Sequence, residues 1–246
     1  MVCATSSPAA TQIINDMSHI QPFHILEPTF PTYPGKLRSL FGELASPEIW
    51  YTGNLQLLSR KSVGFCGARS ASEQGVRVAE DCGEQLVAAG GVVVSGYAKG
   101  VDTAAHLAAL RNGGETIVVL PEGSDHFRLR QDMKDFWDWK RVLVISQFGR
   151  NAVWRPDRAM ERNKVIVSLS DATIVIEAGE VGGTFHAGMT ALKLKKPLFV
   201  VNYSSPSDAA RGNALLLSSG GSPLNRSKKT GKAELGPVYA AIGLTN

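Results

Sequence analysis

The stretch VGFCGARSASEQG, residues 63–75, decides the fold that the sequence predicts. Residues 63–66 are apolar without alternation, which predicts a short strand buried on both faces. A glycine turn follows, and Ser70 or Ser72 is the predicted N-cap of a helix over residues 73–89. The stretch therefore predicts one unit of strand, turn and helix.

The turn between this strand and this helix predicts an anion site. A strand that turns into a helix points several backbone N–H groups and the positive end of the helix dipole at one place, which suits a phosphate. Gly67 and Ser70 bound the turn, and Arg69 would add a fixed charge and a fork of donors. The glycines at positions 64, 67 and 75 do not complete a G-x-G-x-x-G pattern, so an ordinary strand–helix turn is the alternative.

The alternation of strand and helix continues to residue 201. Short apolar runs predict further strands over residues 92–94, 116–120, 142–146, 172–177 and 197–201. Helices are predicted over residues 102–111, 157–169 and 184–194, and apolar residues recur at helical spacing over residues 129–140. This pattern predicts an α/β fold of extended Rossmann-like type: a mostly parallel sheet of roughly six strands with helices on both faces.

Four turns rich in Gly or Ser follow strands of the predicted sheet. They span residues 67–70, 95–100, 121–126 and 177–184, and they include Ser95, Gly96, Gly182, Gly183 and Thr184. Ligands of such sheets bind outside the carboxyl ends of the strands, so these turns predict a polar cleft that takes a phosphate-bearing ligand. Four side chains are candidate phosphate contacts, with solvated surface as the alternative: Arg69, Lys99, Arg162 and Lys164.

Three residues near the predicted cleft have structural readings beside functional ones. Asp102 begins a helix, where a carboxylate is favoured by capping and the helix dipole in any case. His106 is interpreted as a packed or hydrogen-bonded histidine rather than a base. Glu177 ends a buried strand, where its pKa could be raised, or it could brace the glycine turn through backbone N–H groups. His126 and His186 lack the spacing of a metal pair, so neither a metal nor a cofactor is expected.

Composition excludes several classes of protein. With 43% hydrophobic and 20% charged residues the chain is typical of a globular protein, and no apolar run reaches about 18 residues, so no membrane span is predicted. The N-terminus lacks the pattern of a secretory signal. Cys3, Cys66 and Cys82 are odd in number and lack zinc-ligand spacing, which favours reduced thiols in a cytoplasm. The net charge of +4 permits an anionic partner, and Trp137, Trp139 and Trp154 among basic residues suit single-stranded nucleic acid, although Trp137 is interpreted as a core residue.

The sequence divides into four predicted segments. Residues 1–30 are expected to form a flexible arm, and residues 31–62 a lead-in segment packed on the core. Residues 63–224 are the predicted Rossmann-like domain. Residues 225–246 supply a short basic and apolar tail, with no winged helix expected there.

The motifs together resemble the DNA-processing protein A (DprA/Smf) family, within the wider SLOG superfamily, over roughly residues 33–224. VVVSGYAKGVDTAAHLAAL, residues 92–110, is similar to the family's S-G-x-A-x-G-I-D-x-x-A-H segment, which is the most specific match. VGFCGARSAS resembles its G-S-R-x-x-S turn, with Ala68 in place of serine, and MERNKVIVSLSD resembles its R-N-R-I-I-x-G-L-S element. YPGKLRSL, GGETIVVLPEG and RGNALLLSSGG resemble its lead-in, next strand and ending, in the family's order.

The resemblance implies a protein that binds single-stranded DNA in a basic pocket and, in that family, helps to load a recombinase during transformation. Carried over by position, the pocket would use Arg69, the Ser95–Gly96 turn, Lys99, Arg162, Asn163 and Lys164. Affinity would come largely from phosphate neutralisation and would fall with salt. DNA, single-stranded or with an exposed base, is the expected partner, and a homodimer is left open.

Departures from the family pattern leave a second function open. The family's phenylalanine–proline pair is Ala159–Met160 here, its glutamate after the fourth strand is Gln147, and its S-G-S-L turn is replaced by residues 182–185. Related enzymes of the superfamily hydrolyse N-glycosidic bonds, but their catalytic glutamate falls on Ala187. A DNA glycosylase-like or nucleotide N-glycosidase activity that releases a modified base would need another carboxylate. The candidates are Glu177, Asp102, Glu122 and Asp125.

Overall fold

The computed structural model of the protein describes residues 21–42 and 44–245. The strands are β1 (His24–Leu26), β2 (Ile49–Gly53), β3 (Ser62–Cys66), β4 (Val92–Ser95), β5 (Thr116–Val119), β6 (Val142–Ser146), β7 (Ala172–Val175), β8 (Leu198–Val201) and β9 (Ser222–Leu224). The helices are α1 (Gly35–Phe41), α2 (Glu73–Ala88), α3 (Val101–Arg111), α4 (Pro156–Leu169), α5 (Gly183–Lys193), α6 (Asn213–Ser218) and α7 (Gly236–Ile242).

All of these strands join one sheet in the order β1-β2-β6-β5-β4-β3-β7-β8-β9. The strands from β6 to β9 in that order are parallel, and β1 and β2 add an antiparallel edge. The chain runs from β3 out to β6 and then returns to place β7 on the other side of β3. The topological switch point, where sheets of this kind bind ligands, therefore lies between β3 and β7.

Helices cover both faces of the sheet. On one face α2 and α3 bury Ala79, Leu86 and Ala105 against β3 and β4. On the other face α1, α4 and α5 contribute Leu37, Val165 and Ala187, respectively, to a second core cluster. Burial on both faces explains why the central strands β4, β6 and β7 are apolar apart from Ser95, Ser146 and Thr173. The predicted α/β fold of extended Rossmann-like type is confirmed.

One edge of the sheet lies where the sequence predicted a flexible arm. His24–Leu26 forms β1, which pairs with β2 so that Leu26 stands opposite Ile49. Leu26 is 3% exposed, because its side chain joins the core under α1. The arm prediction is therefore wrong for β1, and for residues 1–20 it lies outside the described part of the chain.

The helical spacing over residues 129–140 does not produce an α-helix. Only Gln131–Phe136 is helical, as a short 3-10 segment. The aromatic side chains of this region pack around Phe127 instead of forming one stripe, and the rings of Trp137 and Trp139 meet edge to face at 5.3 Å. Tertiary packing of the aromatic side chains thus determines the structure of this region, and the helical spacing of its apolar residues does not.

The segments flanking the predicted domain both join its core. In the lead-in, β2 enters the sheet beside β6, and Tyr33 and Leu37 are buried. In the tail, Arg226 and Ala233 close a small hairpin, and α7 buries Val238 in the cluster shared with α2. No helix in the described ranges is long and apolar enough to cross a membrane.

Candidate functional site

The anion at the N-terminus of α2 is a side chain of the protein, the Glu177 carboxylate. Ser72 caps the helix, and its Oγ accepts a hydrogen bond from the Gly75 N–H at 3.0 Å. The Glu177 carboxylate accepts from the Ser72 N–H at 2.8 Å, the Ser72 hydroxyl at 2.6 Å and the Ser207 hydroxyl at 2.8 Å. A carboxylate is stabilised at a helix N-terminus for the same reason as a phosphate. The start of α2 is therefore occupied by Glu177, which corrects the prediction of a phosphate there. Of the two roles considered for Glu177, the structure shows the one in which its carboxylate accepts hydrogen bonds and stabilises the turn.

A cleft of about 410 Å³ lies at the switch point, outside the carboxyl ends of β3 and β7. We call it the strand-end cleft. Seven predicted binding residues and one candidate carboxylate line it: Gly67, Arg69, Arg162, Asn163, Gly182, Gly183, Thr184 and Asp102. The remaining lining residues are Cys66, Ala98, Trp154, Pro156, Ala159, Met160 and Ile166.

Arg69 and Trp154 form the accessible wall of the strand-end cleft. The Arg69 guanidinium carbon stands 5.0 Å from the centre of the Trp154 ring, a cation–π contact. Arg69 is exposed and Trp154 is 43% exposed, so a ligand can reach both side chains. Together they offer a fixed positive charge beside an aromatic face.

The start of α5 also lines the strand-end cleft. Gly182 precedes the helix with φ of 105°, a conformation that favours glycine, and no side chain caps the helix there. The first N–H groups of a helix have no partner within it, so α5 presents backbone donors and its positive dipole end to the cleft. Asn163 Nδ2 donates to the Gly183 carbonyl at 3.1 Å and holds this helix end against α4.

Arg162 lies at the base of the cleft and is only 4% exposed. Its Nη1 donates to the Val119 carbonyl at 2.9 Å and stands 3.8 Å from Asp102 Oδ2. A Cβ at position 96 would lie 1.5 Å from that nitrogen, so Gly96 is required for the arginine to fit. The Arg162 Nε has no hydrogen-bond partner among the described residues, which leaves it donor capacity.

Burial dominates the electrostatics of this ion pair. Burial raises the pKa of Asp102, and the Arg162 guanidinium opposes that rise. Burial likewise lowers the pKa of Arg162, and Asp102 opposes the fall. The neighbouring Cys66 thiol has its pKa raised to about 12 by burial and by the Asp102 charge, so it is not a nucleophile at neutral pH.

Two residues near the cleft, His106 and Ser95, form hydrogen bonds within the protein beneath it and do not face a ligand. His106 contacts the Gly96 carbonyl through Nε2 at 2.5 Å and the Thr116 hydroxyl through Nδ1 at 2.7 Å. Burial lowers the His106 pKa to about 4, so the ring is neutral at pH 7, and its interpretation as a hydrogen-bonded histidine is confirmed. Ser95 is buried, and its hydroxyl donates to the Phe65 carbonyl at 2.8 Å, tying β4 to β3. Its placement as a ligand contact is wrong, because its hydroxyl is used inside the sheet.

The other predicted cations divide between a neighbouring cavity and the surface. Lys99 and Ser70 line a cavity of about 380 Å³ that shares Arg69, Trp154 and Arg162 with the strand-end cleft. We call it the adjacent cavity. Lys164 lies outside both cavities and pairs with Glu161 at 2.7 Å, because its position on α4 faces that neighbour one turn away.

The four candidate carboxylates do not lie in one cavity. Asp102 lines the strand-end cleft, and Glu122 lines the adjacent cavity, where burial raises its pKa against the charges of His126 and Arg128. Asp125 pairs with Arg150 at 3.1 Å, and Glu177 is committed to α2. Among the described residues no group of three His, Cys, Asp or Glu side chains is placed to hold a metal ion.

Trp154 is the cleft-lining residue that sequence reasoning identified least sharply. Basic–aromatic interleaving pointed to three tryptophans, but Trp137 and Trp139 pack against the cluster around Phe127. Ala159 and Met160, noted only as departures from the family pattern, line the cleft on the first turns of α4. The signal that could have separated Trp154 from the others is its place just before a helix that follows a sheet strand.

A mostly parallel sheet with a cationic and aromatic cleft at its switch point places the chain in the Rossmann-like class of α/β proteins, in which ligands bind at that point. The sequence profile of DNA recombination-mediator protein A matches residues 24–233, so the chain belongs to that family, as the resemblance predicted. It is 34% identical over 171 residues to DNA processing protein DprA of Streptococcus pneumoniae, covering 69% of this chain and 59% of that relative. The chain spans 59%, 56% and 63% of the length of three curated relatives that it matches.

Two solved structures of DNA processing protein A resemble the fold. The X-ray structure from Streptococcus pneumoniae has a TM-score of 0.73 at 30% identity, covering 87% of this chain and 74% of that one. The structure from Helicobacter pylori, described for its single-stranded DNA binding mode, has a TM-score of 0.69 at 24% identity, covering 84% of this chain and 92% of that one. The second likeness supports the fold alone.

Proposed function

We propose that the protein binds DNA in the manner of a DprA-type protein, gripping single-stranded or locally opened DNA through its phosphates at the carboxyl edge of the sheet. Membership of the family supports this function, and the Helicobacter pylori relative is described as binding single-stranded DNA. The observation that carries the proposal is the pairing of exposed Arg69 with exposed Trp154 in one cleft.

The Arg69–Trp154 wall suits a nucleotide whose base is free. An aromatic ring offers a stacking surface to any base, and a neighbouring arginine neutralises the phosphate attached to it. In a duplex the faces of the bases are covered by their neighbours, so stacking on Trp154 requires a single strand or a base that has left the helix. Single-stranded DNA is therefore the preferred ligand in this proposal.

The start of α5 supplies a second phosphate contact. Its backbone donors line the same cleft as Arg69. A helix N-terminus stabilises an anion without any side chain, so this contact is independent of base identity. Phosphates held by Arg69 and by the start of α5 would position the strand, and the base on Trp154 would add affinity without sequence preference.

Substitution of Arg69 tests the proposal. Arg69→Ala removes one charge-assisted phosphate contact and should weaken single-stranded DNA binding by about 5- to 150-fold, or roughly 1–3 kcal/mol. Fluorescence anisotropy with a labelled oligodeoxythymidylate at fixed salt gives the Kd. Arg60→Ala is the matched control, because Arg60 pairs with Glu115 at the amino edge of the sheet, away from the cleft.

The result that would contradict the proposal is equal affinity of the Arg69 variant and the parent protein. Failure of the parent protein to bind either single-stranded or gapped DNA at low salt would also overturn it. The four candidate carboxylates lie in different places, which does not favour a base-releasing reaction as a second function.

A cytoplasmic location and a homodimer complete the proposal. The buried free thiols of Cys66 and Cys82 support a reducing compartment. Met189 of α5 and Leu215 of α6 are exposed apolar side chains that a second copy of the chain could cover. Light scattering after size-exclusion chromatography measures the mass, and a single monomeric species at micromolar concentration would exclude the dimer.

A further inference from the structure

A third cavity, of about 530 Å³, opens at the same edge of the sheet as the strand-end cleft. We call it the outer cavity. It is lined where β5 and β6 end and where β2 begins, since Trp50 stands opposite Ser146, the last residue of β6. The carboxyl ends of parallel strands share one edge, so the outer cavity continues the line of the strand-end cleft and the adjacent cavity.

Two loops connect the outer cavity to the DNA-binding walls. The loop over residues 121–126 contributes Glu122 to the adjacent cavity and Ser124 to the outer cavity. The loop over residues 147–155 contributes Trp154 to the strand-end cleft and Arg150 to the outer cavity. The two loops are joined by backbone hydrogen bonds from Gly123 to Ala152 at 2.7 Å and from Asp125 to Arg150 at 3.0 Å. A ligand that occupies both sites therefore contacts two loops that are hydrogen-bonded to each other.

The outer cavity repeats the chemistry of the Arg69–Trp154 wall. The Arg150 guanidinium carbon stands 5.8 Å from the centre of the Trp50 ring. Arg150 also pairs with Asp125 at 3.1 Å, and its side chain stays 63% exposed. Trp50 is half-buried, and Phe23 and Phe127 line the cavity beside it. The site thus offers an aromatic surface and an accessible cation, the two groups that a stacked nucleotide needs.

A buried hydroxyl in the wall lacks a partner. Ser124 is 6% exposed, lines the outer cavity, and its Oγ makes no hydrogen bond to any described residue. A buried polar group without a partner is costly, and a polar ligand atom in the cavity would supply one. Arg128 adds a second exposed cation, held by hydrogen bonds from its Nη1 to the carbonyls of Asp125 and Phe127.

We propose that the outer cavity is a second nucleotide subsite, which takes a base and phosphate of the same DNA strand that occupies the strand-end cleft. The inference rests on the proposed function and extends it: the strand runs along the sheet edge from Trp154 to Trp50. The cavity has the volume of a small-molecule site, and its aromatic and cationic lining matches single-stranded nucleic acid.

Photo-crosslinking locates the two subsites on one strand. Oligodeoxythymidylates that carry a single 5-iododeoxyuridine at successive positions are irradiated with the full-length protein, and the crosslinked peptides are identified by mass spectrometry. Crosslinks to the peptide of Trp154 and to the peptide of Trp50 should come from different positions of the same oligonucleotide. Crosslinks to the Trp154 peptide alone, at every position, would overturn the outer subsite.

Binding as a function of strand length gives an independent test. Arg150→Ala should leave the affinity for oligodeoxythymidylates of about 4 nucleotides unchanged and weaken that for strands of about 20 nucleotides by about 5- to 50-fold. Arg60→Ala, which removes an equally ion-paired arginine at the opposite edge, should affect neither. An equal loss for short and long strands, or no loss for long ones, would contradict the second subsite.

The outcomes separate the two proposals. If the parent protein binds no single-stranded DNA of either length, the proposed function fails and the outer subsite fails with it. If the parent protein binds DNA and Arg69→Ala weakens binding while Arg150→Ala does not, the proposed function stands and the outer subsite is excluded.

Discussion

Arg162 brings a charge into the interior of the molecule at the base of the strand-end cleft. It is held by the Val119 carbonyl and by Asp102, under a glycine at position 96 that leaves room for its guanidinium. A buried ion pair contributes little net stability, but removing one partner leaves the other charge uncompensated. Each partner is therefore needed to compensate the buried charge of the other.

Removing Asp102 tests this account of the ion pair. Asp102→Ala should lower the free energy of unfolding by about 3–5 kcal/mol, because Arg162 is left buried without its counter-charge. Urea denaturation followed by circular dichroism measures the change. Asp208→Ala is the control, since Asp208 is 91% exposed in its pair with Arg211 and its loss should cost little. A loss of comparable size in both variants would mean that Arg162 does not depend on Asp102.

His106 gives the fold a defined dependence on pH. Its pKa falls from 6.5 to about 4 on folding because the ring is buried. Between these values the unfolded state binds the proton and the folded state does not, so stability present above pH 6.5 is lost as the pH falls towards 4. The loss from this group is on the order of 3 kcal/mol.

His106→Gln should remove that part of the pH dependence. The free energy of unfolding of the parent protein should fall more steeply between pH 6.5 and 4 than that of the variant, which lacks the titrating ring. Urea denaturation at several pH values measures both slopes, and carboxylates common to the two proteins cancel in the comparison. Identical slopes would show that the imidazole is not held neutral by the fold.

At the scale of elements, two helix N-termini near the switch point have opposite roles. The start of α2 is closed, because Glu177 accepts hydrogen bonds there from the N–H and the hydroxyl of Ser72. The start of α5 has no side-chain cap and lines the cleft. One helix end thus stabilises the fold and the other is available to a phosphate.

Glu177→Ala separates these roles. It should lower the free energy of unfolding by about 1–3 kcal/mol in total, because the partly buried donors of Ser72 and Ser207 lose their acceptor, and Ser72→Ala should cost about 1 kcal/mol. The Kd for single-stranded DNA should stay within about twofold of the parent value at a temperature where the variant is folded, since Glu177 does not line the cleft. Lost DNA affinity with unchanged stability would instead give this carboxylate a part in the site.

At the scale of the whole molecule, three cavities lie along one edge of the sheet in a chain of net charge +4. Long-range attraction of a polyanion depends on this net charge, while the position of the strand depends on the cations along the edge. Electrostatic and stacking contributions at that edge should therefore be separable by salt.

The salt dependence of binding distinguishes the two members of the Arg69–Trp154 wall. The slope of log Kobs against log salt concentration should be smaller in magnitude by a value of about 0.7 in Arg69→Ala, because one fewer counterion is released from the single strand. Trp154→Ala should lower the affinity by roughly 1–3 kcal/mol at every salt concentration and keep the slope, because stacking releases no counterion. A slope that changes equally in both variants would argue against separate roles.

The local pattern of the sequence accounts for most of the fold. Runs such as Val92–Ser95 are too short for helices and apolar on both faces, and this composition predicts a parallel central strand wherever the run falls in the chain. The edge strand β1 was not predicted as a strand, because an edge strand is stabilised by its pairing partner and not by its own period.

The sequence by itself determined that this protein is a parallel α/β fold of the DprA family with Gly- and Ser-rich turns at one sheet edge, because strand period, turn chemistry and motif order are local properties. Only the tertiary structure decided which of those turns is open to a ligand. Glu177 closes the start of α2 from 105 residues away, and Arg162 is buried by contacts with β5 and α3. Such contacts depend on how distant elements pack, and no local pattern of residues encodes which helix end receives the carboxylate.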